Sequence, residues 1–546
     1  MRTQHVLISS ILCLTSAASA LAQSAASPPP PPAVQTNPNA PALKVTSRVV
    51  QVNVIVQDKN GQPVTGLTKD DFTILDQGQP QTLASFAEQA NKVTTTLVSA
   101  AAASTFSNRV QERYGAPPNV SVILIDSLNM LDNYGEVSRS NMSMARAQVV
   151  KFLAKVQPQD RVALYFLSNK IYILHDFTND TTELLRAMDI IRDLQMDQPN
   201  AAPAMDFALN APNSRMTDPG WAREGISRGT EVDKTNRVKQ SAAAFEAIAK
   251  HLAGIPGRKN LIWISGGFPF LIYTVVGPLS FDSQISAAAR VLSGANVAVY
   301  AVDARGLTVG KPDPQTVNTM TVLADRTGGR VLHNTNDLSG AIRTAIDDSR
   351  VTYVLSYYPD HNKWNGDFRE IKVKVNRPGV EVRARRGYFA TPDMAASAKS
   401  KEEIMVEAAK NPIESAALGM DVQADPVDVA GARQIKTEIK IDPAQMQIAK
   451  AGDRWMDSVD VKWVQVAADG RVLASTSQTF DLNIPEADYE NVLRKGLTFS
   501  GNVKLVKDAT DVRIVARDAG NGSVGTVNVA VGKVFATDST EAPAKK

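Results

Sequence analysis

Two rhythms of apolar positions alternate along the chain. Over 43–90, Val45, Val49, Val50, Val52, Val54 and Val56 partly alternate with polar residues, which is the period of a strand. Asp58-Lys59-Asn60-Gly61 supplies hairpin turn chemistry, Phe72 and Ile74 begin a second strand closed by Asp76-Gln77-Gly78-Gln79, and 83–86 makes a third. A small β module is expected there. Over 118–346 compact apolar runs at 120–125, 161–167, 261–264, 297–302 and 330–332 predict strands. Between them, apolar residues at helical spacing predict helices over 142–156, 182–194, a stretch ending near Leu252, 286–293, 316–325 and 337–346. The segment 196–230, rich in Asn, Pro, Asp and Gly, reads as an irregular insertion. Continuous apolar strands separated by amphipathic helices imply a parallel sheet covered on both faces, and right-handed crossovers make it doubly wound.

The strand rhythm then returns. Residues 351–392 read as an antiparallel β meander able to complete the sheet of the 43–90 module, and 393–412 as an Ala-rich helical linker. Over 413–535, strands at 435–441, 459–467, 472–481, 497–506, 511–517 and 525–530, with Asp469-Gly470 and Asn521-Gly522 as turns, fit a β-sandwich. Residues 536–546 form a polar tail. The fold class expected is therefore multi-domain: a central α/β doubly wound parallel sheet flanked by β modules, with a C-terminal β-sandwich.

The first residues have a different logic. Arg2 and His5 precede a short apolar run, and Ala20-Leu21-Ala22 offers small residues at a cut, the pattern of a secretory signal peptide over 1–22. The run is shorter than the about 20 apolar residues a bilayer span requires, and no other stretch reaches that length without charges. Pro28 to Pro32 and then Pro38 and Pro41 make 23–42 a stiff, solvated linker. The expected compartment is the periplasm or the exterior. The one cysteine, Cys13, falls within the signal, so a disulfide framework, thiolate metal site and thiol catalysis are excluded from the cleaved chain. Lys+Arg 59 against Asp+Glu 56 leaves no concentrated basic surplus for nucleic acid.

In open parallel sheets ligands sit at the carboxyl ends of the strands, so the residues following each strand are the candidates. Asp126-Ser127-Leu128-Asn129-Met130 follows the first strand, Ser265-Gly266-Gly267-Phe268-Pro269 the third, and Asp303-Ala304-Arg305-Gly306 the fourth. With Asp58…Gly61…Val64…Gly66-Leu67-Thr68…Asp71-Phe72, the run Leu252 to Pro269, Tyr353…Tyr357-Tyr358-Pro359 and Arg386-Gly387-Tyr388-Phe389, the region 44–392 resembles the von Willebrand factor type A-related proteins of acidobacterial type.

That resemblance implies a metal-ion-dependent adhesion site, usually Mg²⁺, built from Asp-x-Ser-x-Ser, a Thr from a second loop and an Asp from a third. Asp126 matches the first position and is the one metal-ligand candidate; Leu128 and Met130 replace both serines, and Ser265-Gly266-Gly267 stands where Thr-Asp-Gly is wanted. The second-loop Thr has no clean match; Thr230 and Thr235, upstream of the helix that ends near Leu252, are no more than candidates. Mg²⁺ needs several hard oxygen ligands, so a degenerate site without a resident cofactor is expected, with Asp126 accepting backbone N–H groups instead.

The remaining chemistry is thin. Ser265 lacks the first glycine of a nucleophile elbow, since Trp263 stands there. The histidines 175, 251, 333 and 361 show no zinc spacing, and Asp360, Asn362, Asn365 and Asp367 around Gly366 fit a hydrated hairpin better than a calcium loop. Arg383, Arg385 and Arg386 read as the solvated face of a strand. The expectation is a non-enzymatic protein-binding module whose rim comprises Asp126, Ser127, Asn129, Ser265, Gly266 and Asp303, with a protein partner at the envelope or outside the cell. A structural scaffold and a hydrolase of envelope polymer are the alternatives.

Overall fold

The computed structural model describes residues 49–90, 104–109, 120–130, 139–196, 219–255, 257–267, 271–274, 277–305, 314–361, 363–390, 400–411, 413–429 and 431–536. The expected signal peptide, linker and polar tail beyond 536 lie outside them. The α/β unit runs through β1 (Val120–Asp126), α1 (Arg139–Leu153), β2 (Val162–Leu167), β3 (Ile171–Thr178), α2 (Thr181–Met196) and α3 (Pro219–Leu252). It continues through β4 (Lys259–Ser265), α4 (Asp282–Gly294), β5 (Val297–Asp303), α5 (Pro314–Thr327), β6 (Arg330–Leu332) and α6 (Leu338–Asp347). A two-stranded hairpin, Leu271–Thr274 with Gly277–Ser280, sits between β4 and α4.

The sheet order is β6-β5-β4-β1-β2-β3. All neighbours pair in parallel except β2 and β3. The expected all-parallel sheet thus gains an antiparallel edge. Only Ser168, Asn169 and Lys170 join β2 to β3, too few for the crossover that a parallel neighbour requires. Every residue of β1, β2, β4 and β5 is buried, as a sheet covered on both faces demands. Side chains alternate between two cores. Val122 and Leu124 face Phe245 of α3, Leu292 of α4 and Leu323 of α5. Ile123 and Ile125 face Phe152 of α1, Met188 of α2 and Ile342 of α6.

The expected irregular insertion is corrected in part: helix α3 begins at Pro219, well before its apolar stripe starts at Val238. Residues 197–218 of that stretch lie outside the described part.

The chain enters and leaves the α/β unit through one β module. One sheet orders Val380–Ala384, Val50–Asp58, Val351–Tyr357 and Leu83–Ala90; the other orders Gly387–Phe389, Phe368–Val375, Phe72–Asp76 and Gln79–Gln81. Val52, Val54, Ile74, Tyr353, Leu355 and Tyr357 fill the space they share. Asp76 is buried within it, receiving the hydroxyls of Tyr357 and Tyr388, both at 3.0 Å, and Arg369 Nη2 at 3.0 Å.

The C-terminal region also has two antiparallel sheets around one core. One consists of Leu497–Lys504, Ala432–Ile441, Met420–Val429 and Thr105–Ser107. The other contains Ala449–Ala451, Arg454–Val466, Asp511–Asp518 and Val524–Ala530, with Val472–Pro485 paired to the long central strand. Thr105–Ser107 belongs to neither expected module. Buried Asn108 locks it in place, donating to the Ser415 and Leu418 carbonyls at 2.7 and 2.9 Å and accepting Met420 N–H at 2.7 Å. Within the expected linker, the helix Lys401–Lys410 starts at a Ser400/Glu403 capping box and buries Met405 and Ala409 against Val464 and Val515. Among the described residues no helix is long and apolar enough to cross a membrane.

Candidate functional site

The order β6-β5-β4-β1-β2-β3 means that the chain leaves β1 for one half of the sheet and later returns to build the other half beside it. The switch between the halves falls between β1 and β4, where open α/β sheets form a crevice. Asp126 ends β1 and Ser265 ends β4. Their side chains lie on the same sheet face as Leu124 and Trp263, which are paired across the two strands.

Asp126 is fully buried and receives four donors. Its Oδ1 accepts Asn129 N–H at 3.1 Å. Its Oδ2 accepts Asn129 Nδ2 at 2.8 Å, Trp263 Nε1 at 2.8 Å and Ser265 Oγ at 2.9 Å. Burial holds the carboxyl above its ordinary value, outweighing the pull of its hydrogen-bond donors. The supporting groups are themselves held. Asn129 Nδ2 also donates to Ser241 Oγ on α3 at 2.7 Å, and Ser265 Oγ accepts Gly267 N–H at 3.0 Å. Gly266 N–H donates to the Asn129 carbonyl at 3.1 Å, tying the two loops together. Trp263 is fixed edge-on against Phe245, with ring centroids 5.1 Å apart.

The chain after Asp126 makes one 3-10 turn, Ser127–Asn129, capped by the Asp126 side chain. Leu128 packs against the core on one face of the sheet, and Met130, with no exposed surface, lies in the core on the other. The two positions where an adhesion site would carry serines therefore anchor the turn to both hydrophobic layers. Ser127 donates to the Leu167 carbonyl at 2.9 Å. At the end of β5, buried Asp303 is neutralised by Arg305, whose Nε and Nη2 reach the two carboxylate oxygens at 2.9 and 2.8 Å.

The six sequence-predicted residues thus come to one end of the sheet. However, Asp126, Asn129, Ser265 and Asp303 lie beneath the rim rather than on it, each at most 3% exposed. Thr230 and Thr235 fall within α3 and not on a preceding loop. The donor set fits Mg²⁺ poorly: indole and amide N–H groups aimed at Asp126 occupy directions a cation would need, and leave Asn129 Oδ1, buried and unpartnered, as the free oxygen beside the carboxylate. Among the described residues no three of His, Cys, Asp or Glu gather closely enough to hold a metal ion. In the hairpin once compared with a calcium loop, Asn365 Nδ2 donates to Asp367 Oδ2 at 2.6 Å, an internal turn contact.

Sequence reasoning missed Trp263, Ser241 and Arg305 as partners. A signal existed for Trp263: it stands two residues before Ser265, hence on the same strand face. Ser241 was hidden within the helical pattern of α3.

No family model matches the chain, and no curated protein matches it. Solved structures similar to it include an aerotolerance-related membrane protein from Bacteroides fragilis, at 13% identity, with 42% of this chain and 98% of that one covered and a TM-score of 0.25. The conserved hypothetical protein BatB from Bacteroides thetaiotaomicron is 16% identical, covering 42% and 98%, with a TM-score of 0.23. The SpRpn10 VWA domain is 13% identical, covering 42% and 96%, with a TM-score of 0.21.

Proposed function

We propose that the chain is an exported binding protein at the cell envelope, periplasmic or secreted, whose type A-like α/β unit offers the loop rim at its strands' carboxyl ends to a protein partner. The flanking β module and a C-terminal β-sandwich position that rim. The observation that carries the reading is the strand order, because its switch between β1 and β4 is where sheets of this kind bind ligands. The side chains there turn inward on Asp126, so the reading assigns recognition to the surface above them and gives Asp126 a structural role. Ser265 has no exposed surface, which supports a non-enzymatic rim. The four donors around Asp126 support a rim without a resident cation.

Two measurements test this. Calorimetric titration with Mg²⁺, Mn²⁺ and Ca²⁺ is expected to show no sub-millimolar binding; such binding, lost in Asp126→Ala, would reverse the cation-free part. Lys170→Glu, in the exposed turn that follows β2 at the carboxyl end of the sheet, alters the rim while leaving every donor to Asp126 in place. In pull-downs from envelope extract, the full-length variant is expected to lose a partner that the wild type retains, with an unchanged far-UV spectrum. Identical capture would favour the structural scaffold. Hydrolysis of envelope polymer that disappears in Ser265→Ala would favour the enzyme.

A further inference from the structure

At the opposite end of the parallel sheet, where β4 and β5 begin, the α/β unit meets the β module around a small polar pocket. Asn53, Arg258, Ser293, Asn296, Thr327 and Arg385 line it, and none of these is an acid. Its room is about that of a single water molecule.

Arg258 is 3% exposed. Its Nη2 donates to Tyr300 Oη at 3.3 Å and to the Gly328 carbonyl at 2.5 Å, both neutral acceptors, and its buried Nε has no partner. Arg385 donates to Ser293 Oγ at 2.9 Å and to the Gln51 carbonyl at 2.7 Å, again neutral, and its buried Nε is also unpartnered. Burial pulls the Arg385 guanidinium down to about 10. The neighbouring arginines differ in that each has an acid: Arg383 and Arg330 share Asp348, and Arg386 reaches Asp325. Two guanidinium groups, Arg258 buried and Arg385 half-buried, thus meet at one cavity whose lining contains no acid, an arrangement that an anion would relieve.

The unpartnered side-chain atoms of the pocket are donors, while each of its acceptors already holds a partner. Asn53 Oδ1 takes Gln51 Nε2, Asn296 Oδ1 takes Asn53 Nδ2 at 2.8 Å, and Thr327 Oγ1 takes Val299 N–H at 2.9 Å. Two guanidinium Nε–H groups remain, with the Asn296 amide beside them. A water would satisfy the two Nε–H groups but not the charge behind them; a monatomic anion would do both. An oxyanion such as sulfate exceeds the available room.

We propose that this pocket is a chloride site that joins the α/β unit to the β module. The test compares full-length protein in sodium chloride, sodium gluconate and sodium sulfate at matched ionic strength. The melting temperature is expected to rise saturably by roughly 2–5 °C as chloride replaces gluconate, whereas sulfate gives only its non-saturating general stabilisation. Asn296→Asp, which places a carboxylate in the pocket at a left-handed position that Asp tolerates, is expected to abolish the chloride response while keeping the fold. A crystal soaked in bromide is expected to show an anomalous peak between Arg258 and Arg385. Equal melting in chloride and gluconate, a response that persists in Asn296→Asp, or a pocket containing water alone would each overturn the proposal.

Discussion

The two ends of the central sheet treat buried charge in opposite ways. At the carboxyl end, Asp126 is surrounded by neutral donors from the following turn and from the neighbouring strand β4, and Asp303 is closed off by its own neighbour Arg305. At the amino end, charge is dense and is shared between units. Asp348, beyond α6, is gripped by Arg383 through two contacts of 2.6 and 2.7 Å and accepts Gln57 Nε2 at 3.0 Å, both partners coming from the β module. Lys259, at the first position of β4, is 3% exposed and donates to the Ile255 carbonyl at 2.6 Å. The end where open α/β sheets bind ligands is chemically sealed, whereas the end that attaches the unit to its neighbour still has unused donors. Polar residues at strand ends can therefore close a crevice as readily as they open one.

Four substitutions sharpen that contrast. The largest effect is expected at the amino end: Asp348→Ala leaves half-buried Arg383 with only the exposed Glu381 at 3.6 Å and removes the acid of Arg330, and should cost about 3–5 kcal/mol in urea unfolding. Asp126→Ala should cost somewhat less, about 2–4 kcal/mol, because the groups it abandons are neutral donors. A loss at Asp126 exceeding that at Asp348 would invert the comparison.

Next comes Lys259, which burial lowers to about 7. The unfolded chain keeps this amine charged up to about pH 10.4, so between pH 7 and 10 the unfolded state holds more protons and stability rises with pH. Lys259→Met should flatten that rise and be more stable than wild type at pH 7 by on the order of 2 kcal/mol, as read from denaturation curves across the range. A wild-type curve that falls over this interval would contradict the assignment. The smallest effect is expected from Ser127→Ala, below about 1 kcal/mol, since only the bond to the Leu167 carbonyl is lost.

Much of the architecture was legible because it rests on runs of apolar residues. The strand ending in Asp126 and the helices facing it follow directly from the spacing of residues such as Val149, Phe152, Phe245 and Ile248. What could not be read depends on register. Ile171–Thr178 mixes His175 and Asp176 with apolar residues and is defined as a strand by its pairing to β2. The donors on Asp126 converge only because β1 and β4 align Leu124 with Trp263. Arg383 and Arg385 were expected on a solvated face and are instead drawn into the joint between units; alternation gives the same pattern for either surface, and only the neighbouring unit decides which one meets water. Thr105–Ser107 is too short to announce the distant sheet it joins.

The placement of Val50–Asp58 has a consequence for how the molecule comes into being. This strand lies inside its sheet, between partners reaching from Val351 to Tyr357 on one side and from Val380 to Ala384 on the other. During synthesis it emerges early and must wait until the whole α/β unit has been made before either edge can be satisfied. Contacts so distant along the chain slow assembly, and the waiting edge is open to wrong pairings meanwhile. Any fragment ending before Ala384 would leave that edge bare, so a chain released early should aggregate even if its α/β portion has folded.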